Sequence, residues 1–307
     1  MAAPVYGRPR RCESGDLARQ IRNLATQRPL LAGPRTTSLT LNYSRIQHLL
    51  SPAVLEGKVV VQVGLGSGGA PVCDHLTMNG VRNWILYDPD TLQDVNLVKH
   101  PRNRRDLGRL KVDIQAEWIV DRNSEARVKT RPEDVFNSQS IHEDISGSDL
   151  ILCCTDTRAT RLFLNDLAVR YKKTCVTASV FRQGFGGEVY GYIPGYSGCF
   201  ECMDRVASKM GLNINLAIEP TEKEKETIYG MNLPDFQASG LSLDINTTAL
   251  IQARMALDVL IDGKPGYSGG NWIIHYNRAI PGVEASGRLK SSRPVLIRPQ
   301  KDCACHD

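Results

Sequence analysis

The sequence predicts an α/β protein with a mostly parallel, doubly wound sheet, and three observations predict it. An apolar run rich in β-branched residues, Lys58-Val-Val-Val-Gln-Val63, feeds straight into glycines at 64, 66 and 69, the pattern of a strand that turns sharply into a helix. A second run, Trp84-Ile-Leu-Tyr87, ends in Asp88, about twenty residues downstream, where nucleotide-binding folds place a carboxylate for the ribose hydroxyls. Further apolar runs then alternate with helical segments, and that order implies parallel strands with ligands at their carboxyl ends. Glycine suits such a turn because phosphate oxygens and a closely packed helix leave no room for a side chain, and free N–H groups at the helix start attract an anion. Glycine turns also serve as plain punctuation. Gly64, Gly66 and Gly69 are therefore nucleotide-binding candidates whose weight comes from Asp88.

Taken in order, residues 1–38 form an arginine- and proline-rich arm, and residues 39–307 form the main domain. Within the arm, Leu17, Ile21 and Leu24 share one helical face behind Ser14. The arm either packs on the body or a second subunit, or docks a partner protein. Asn42–Leu50 is a short segment ahead of the first strand. After the glycine turn a helix runs to the stop at Asn79-Gly80, and Asp88–His100 is too polar and broken to be core. Leu107-Gly-Arg-Leu-Lys111 opens a helix ending near Val120, followed by strands near 127–130 and at Asp149–Cys153. Cys154-Thr-Asp156-Thr157 then lies at a strand's carboxyl end, before a helix through Arg161 and Asn165. From Cys175 the texture changes: Val176–Val180 and Phe185–Ile193 read as strands joined by a glycine-containing turn, additions to the parallel sheet. Residues 205–237 are polar and read as a crossing loop. A helix from Leu241 to Leu260 is apolar nearly all round and is expected to be buried. Strands at Trp272–Tyr276 and Val295–Ile297 lead to Cys303-Ala-Cys305-His306.

A chain of 307 residues that is 41% apolar can bury one large core or two. The formal charge of +5 is local: residues 1–38 carry seven arginines against two acids, and the remaining 269 residues balance. The body therefore lacks the basic face of a nucleic-acid-binding protein. Neither a membrane-length apolar run nor an apolar stretch behind the N-terminal arginines is present, so a cytoplasmic protein is expected. Nine cysteines, with two tight pairs, suit reduced thiols and a metal better than a disulfide framework.

Tyr43-Ser-Arg45, Gly64-x-Gly66-x-x-Gly69, Asp88-x-Asp90, Asn96-Leu97, Gly108-x-x-Lys111, Thr155-Asp156 with Arg161 and Asn165, and Cys199-x-x-Cys202 occur in that order. Over about residues 40–307 this resembles the ubiquitin-activating enzyme superfamily in its small form. That branch includes adenylyltransferases that activate sulfur-carrier proteins for thiamine and molybdopterin synthesis, and bacterial relatives found with ubiquitin-like conjugation genes. The resemblance implies a Rossmann-like sheet with a C-terminal metal knuckle. It implies a Mg²⁺-dependent reaction of ATP with the C-terminal glycine carboxylate of a carrier protein ending in Gly-Gly.

Carried over residue by residue, the resemblance gives Asp88, with Asp90 beside it, the ribose, and the glycine turn the phosphates. Lys111 would stabilise the α-phosphate, Asp156 would bind Mg²⁺, and Asn96 and Lys99 would touch the outer phosphates. Arg45 would reach across a homodimer interface as an arginine finger. Exposed first-turn and helix-capping roles remain open for Lys111 and Asp156, and Arg161 and Asn165 would position the site or brace the helix. Cys199, Cys202, Cys303 and Cys305 would hold a structural Zn²⁺, with loose thiols the alternative.

Three departures stand out. Lys99 and His100 replace the family's usual arginine and glutamine, and lysine lacks the planar fork that grips phosphate. The second cysteine pair has one intervening residue, so His306 could replace a thiolate. No cysteine lies between 203 and 302, where thioester-forming members carry their nucleophile. Either the reaction stops at the acyl-adenylate, or another thiol such as Cys12 or Cys175 serves, or the nucleophile has been lost by substitution. Cys175 itself reads as core. The resemblance of Gly240-Leu-Ser-Leu-Asp-Ile245 to the bacterial branch favours protein tagging, with a conjugating enzyme as a possible further partner. Sulfur-carrier activation for cofactor synthesis, a nicotinamide-dependent oxidoreductase and a catalytically silent scaffold are the rivals.

Overall fold

The computed structural model describes residues 41–181, 184–209, 240–266, 270–277 and 294–306. The expected arm over 1–38 and the crossing loop from residue 210 onward lie outside them.

Seven strands make one sheet in the order β3-β2-β1-β4-β5-β6-β7. The strands are β1 (Val59–Val63), β2 (Asn83–Tyr87), β3 (Arg127–Arg131), β4 (Leu150–Cys153), β5 (Thr174–Val180), β6 (Gly186–Tyr192) and β7 (Trp272–Tyr276). The first five pair in parallel, and β6 and β7 extend the sheet antiparallel. The expected class is therefore what is observed. The central strands read as unbroken apolar runs because both faces of a parallel sheet are covered.

Alternation along those runs feeds two cores. Val60, Leu86, Leu152, Val176 and Val189 face α1 (Gly69–Met78), α2 (Lys111–Arg122) and α6 (Ser242–Asp262). Val61, Val63, Tyr87, Ile151 and Tyr190 face α3 (Ile141–Ser146), α4 (Arg158–Arg170) and α5 (Phe200–Lys209). Three layers result, with the sheet in the middle.

Four sequence readings need correction. The helix opened at Leu107 starts only at Lys111, because Leu107–Leu110 makes loop bonds to Leu92 and a bridge to Thr91. Residues 205–209, read as crossing loop, complete α5, where Phe200, Met203 and Ala207 form a buried stripe. Val295–Ile297 is no full strand. Val295 makes a single bridge to Trp272, and the Ile297 N–H goes to the Asn271 side chain instead of a neighbouring strand. Finally, α6 is not buried all round: Leu243, Thr247, Leu250 and Arg254 form an exposed stripe at helical spacing.

Candidate nucleotide site and metal centre

Chain topology sets the site. From β1 the chain moves to β2 and β3 on one side, then crosses to β4 on the other. The helices that follow β1 and β4, α1 and α4, consequently lie on opposite faces of the sheet, and the carboxyl ends of the strands between them are the place where open α/β sheets receive ligands.

The glycine turn is built for that position. Gly64 has φ +95°, and a methyl group there would lie 2.7 Å from the Cys154 carbonyl oxygen. One on Gly69 would lie 2.1 Å from the Gly64 carbonyl oxygen. The chain's own packing thus demands both. Gly66 differs, since an added Cβ would meet nothing within 4 Å. Bare backbone facing open space is the kind of surface a phosphate can approach. Beneath the turn, buried Gln62 donates from Nε2 to the Gly64 and Gly69 carbonyls at 3.1 and 2.8 Å.

Asp88, 5% exposed, locks the turn to the end of β2. Its Oδ2 accepts from Leu65 N at 2.7 Å, and its Oδ1 accepts from Asp90 N at 2.9 Å. The Lys111 ammonium lies 2.7 Å from Asp90 Oδ2 and 3.8 Å from Asp88 Oδ1. Burial pushes the Asp88 carboxyl up, while Lys111 and the two backbone donors oppose that shift. Lys111 reaches the acids from the first turn of α2, whose start is held by its own N–H on the Asp90 carbonyl at 2.9 Å. Gly64, Gly69, Asp88, Asp90 and Lys111 are therefore brought together.

The segment carrying Asn96 and Lys99 is pinned to the same turn through His100, whose Nε2 meets the Leu65 carbonyl at 2.9 Å and whose Nδ1 accepts from Arg102 N at 3.2 Å. Burial pushes the His100 pKa down, so the ring is neutral, with the proton on Nε2. Asn96 Oδ1 accepts from Gln93 N at 3.0 Å, which caps a short helical turn. Lys99 is half-buried beside it.

Asp156 is exposed, three residues beyond β4. Arg161 donates to the carbonyls of Thr155 and Asp156 at 3.0 and 3.3 Å, and Asn165 Oδ1 accepts from Phe200 N at 2.8 Å. Both side chains thus brace backbone: Arg161 holds the Asp156 loop, and Asn165 holds the start of α5. Arg45 stands exposed on a turn ahead of the sheet. Among the described residues, no hydrogen bond or ion pair joins its side chain to the acid–lysine cluster.

On the sheet face covered by α3, α4 and α5, the start of α5 meets the tail. The Sγ atoms of Cys199, Cys202, Cys303 and Cys305 lie within 4.8 Å of one another. Cys199 with Cys303, Cys202 with Cys305, and Cys303 with Cys305 are each 3.5 Å apart. A tetrahedral Zn²⁺ with Zn–S bonds of about 2.3 Å needs sulfurs roughly 3.8 Å apart, so this donor set fits. His306 is exposed and outside it. Cys175 is buried in β5, and burial pushes its thiol far up, as expected of a core residue.

Sequence reasoning passed over Gln62, Glu188 and the set formed by Asp74, Arg102 and Gln115. The first two carried a legible signal: a lone polar residue at a fully buried strand position. The set did not, because its members sit on three separate elements.

Among relatives, the sulfur carrier protein ThiS adenylyltransferase of Escherichia coli is 28% identical over 171 residues, covering 53% of this chain and 66% of that protein. The adenylyltransferase and sulfurtransferase uba4 of Aspergillus niger is 35% identical over 129 residues, 42% of this chain and 27% of that one. Ubiquitin-like modifier-activating enzyme 5 of Oryza sativa subsp. japonica is 20% identical over 278 residues, 85% of this chain and 62% of that one. The chain thus spans between about a quarter and two thirds of the length of these relatives. The crystal structure of Escherichia coli MccB with AMPCPP and MccA shares the fold, with a TM-score of 0.63 at 20% identity over 83% of this chain and 68% of that chain. The family model described as "ThiF family" matches residues 41–285, and on that match the chain belongs to the ThiF family.

Proposed function

We propose that this chain is a Mg²⁺-dependent adenylyltransferase that activates the C-terminal glycine of a ubiquitin-like or sulfur-carrier protein with ATP, and that it feeds a ubiquitin-like conjugation pathway. The observation that carries this reading is the meeting of the glycine turn, Asp88 and Lys111 at the carboxyl ends of β1 and β2. The adenylyltransferase activity of the Escherichia coli and Aspergillus niger relatives supports it.

The chemistry asks an anionic carboxylate to approach a polyanionic phosphate. The nucleophile's oxygen bonds to the α-phosphorus, the α–β bridging bond breaks, and pyrophosphate leaves with the electron pair. Asp88 accepts the ribose hydroxyls, and the N–H groups around Gly66 receive the phosphates. Lys111, held in reach by Asp90, turns to the α-phosphate as charge develops there, while Asn96 and Lys99 contact the outer phosphates. The exposed Asp156 carboxylate suits a hard cation, which would neutralise phosphate charge when bound. Arg45 acts from a second copy, which makes the working unit a cytoplasmic homodimer. The four thiolates hold Zn²⁺ as a brace for the tail. A conjugating enzyme then receives the carrier.

ATP–pyrophosphate exchange, measured with a purified Gly-Gly-ending carrier, tests this. Exchange should require the carrier, and Lys111→Ala or Asp156→Ala should lower it by about 10²-fold or more. Absence of exchange with every such carrier, or full activity in both variants, would overturn the proposal.

A further inference from the structure

Leu65 lies between the first two glycines of the turn, and both of its backbone groups are held by buried side chains. Asp88 Oδ2 accepts from Leu65 N at 2.7 Å, and His100 Nε2 meets the Leu65 carbonyl oxygen at 2.9 Å. The other edge of the ring fixes its tautomer. Nδ1 faces Arg102 N at 3.2 Å, and a backbone N–H can only donate, so Nδ1 is the bare acceptor and Nε2 carries the proton given to Leu65. The ring is buried and anchored on both sides. His100 N donates to the Asn96 carbonyl at 2.8 Å, and the Arg102 guanidinium is gripped by Asp74 and Gln115 over 2.6 to 3.0 Å.

Peptide geometry turns this hold into an orientation. In a trans peptide the carbonyl of one residue and the N–H of the next point in opposite directions, and no peptide bond among the described residues is cis. A Leu65 carbonyl directed at His100 therefore turns the Gly66 N–H away from the ring. That N–H makes no hydrogen bond among the described residues, and a Cβ on Gly66 would meet nothing within 4 Å. Glycine on the far side of a peptide tolerates either orientation of its plane, so the Leu65–Gly66 unit is free to flip unless a side chain holds it.

We infer that His100 is a positioning residue: its Nε2–H bond to the Leu65 carbonyl fixes the Leu65–Gly66 peptide plane, with the Gly66 N–H turned outward to receive a phosphate oxygen. Receipt of the phosphate rests on the adenylation reading, while the fixed plane stands without it. Glutamine can take over both bonds, since its amide offers one donor group and one acceptor. Leucine fills similar space and offers neither.

The test uses the full chain, labelled with carbonyl-¹³C leucine and ¹⁵N glycine. Leu-Gly occurs twice in the sequence, so NMR filtered for that pair reports the amides of Gly66 and Gly108 alone. Gly108 N, bonded to the Leu92 carbonyl at 2.8 Å, is the internal reference. In His100→Leu the Gly66 resonance should shift or split while Gly108 stays in place, and His100→Gln should keep both at their wild-type positions. By calorimetry, His100→Leu should weaken ATP binding about tenfold and leave adenosine binding unchanged, with ATP affinity restored in His100→Gln. Should circular dichroism show His100→Leu unfolded, His100→Asn carries the same expectations, because its amide is too short to span both partners. An unmoved Gly66 amide, Gly66 and Gly108 moving together, equal losses for ATP and adenosine, or a glutamine variant that behaves like leucine would each overturn the inference. If the wild-type chain binds no ATP, the adenylation reading fails, and the Gly66 amide still decides whether His100 holds the plane.

Discussion

Gly64 and Gly66 stand two residues apart and should respond oppositely to the same substitution. Gly64→Ala meets a positive φ and the Cys154 carbonyl at once, so it should cost about 2 kcal/mol or more in urea unfolding. Gly66→Ala meets nothing and should change stability by less than about 0.5 kcal/mol, yet weaken ATP binding in a calorimetric titration if phosphate lies against it. Lys111 offers a pH-dependent version of the argument. Lys111→Met removes the largest influence that lowers the Asp88 pKa, so the folded value rises further above the unfolded one. A raised carboxyl loses its stabilising contribution as pH increases. The variant should therefore be nearly as stable as wild type at about pH 4 and clearly less stable at about pH 7, measured by denaturant midpoints across that range.

At the scale of elements, α1 and α2 are clamped behind the glycine turn by one charged set. Arg102 bonds both oxygens of Asp74 at 2.6 and 3.0 Å and Gln115 Oε1 at 2.7 Å, Gln115 Nε2 bonds Asp74 at 2.9 Å, and Trp118 lies under the guanidinium. Asp74→Ala strands a buried cation and should cost about 3–5 kcal/mol, whereas Asp74→Leu with Arg102→Met should cost far less. This set was invisible in the sequence, since contacts between elements leave no periodic trace. The strands were legible because β1, β2, β4 and β7 are compact apolar runs bounded by polar or glycine residues. The six residues of α3 are too few to show a helical period, and α5 starts within the Cys199–Cys202 pair, whose spacing read as a metal knuckle. Asp88 and Lys111 were proposed from spacing and resemblance, and the structure sets them 3.8 Å apart. The bracing roles of Arg161 and Asn165 needed the carbonyls and N–H groups they hold, which sequence does not display.

Across the whole molecule, two constraints organise the chain. The thiol cluster ties the last turn to α5, across about a hundred residues of sequence. Elemental analysis of protein purified under reducing conditions should find one zinc per chain, and Cys202→Ser should release it and lower Tm by about 5–10 °C. The other constraint lies at the carboxyl ends of the central strands, where the backbone leaving β1 and the backbone leaving β4 meet with no space for a methyl group between them. On the adenylation reading, a nucleotide at the glycine turn and a cation at Asp156 would lie on either side of that contact, and whatever factor one adds to the other's affinity must be returned in equal measure.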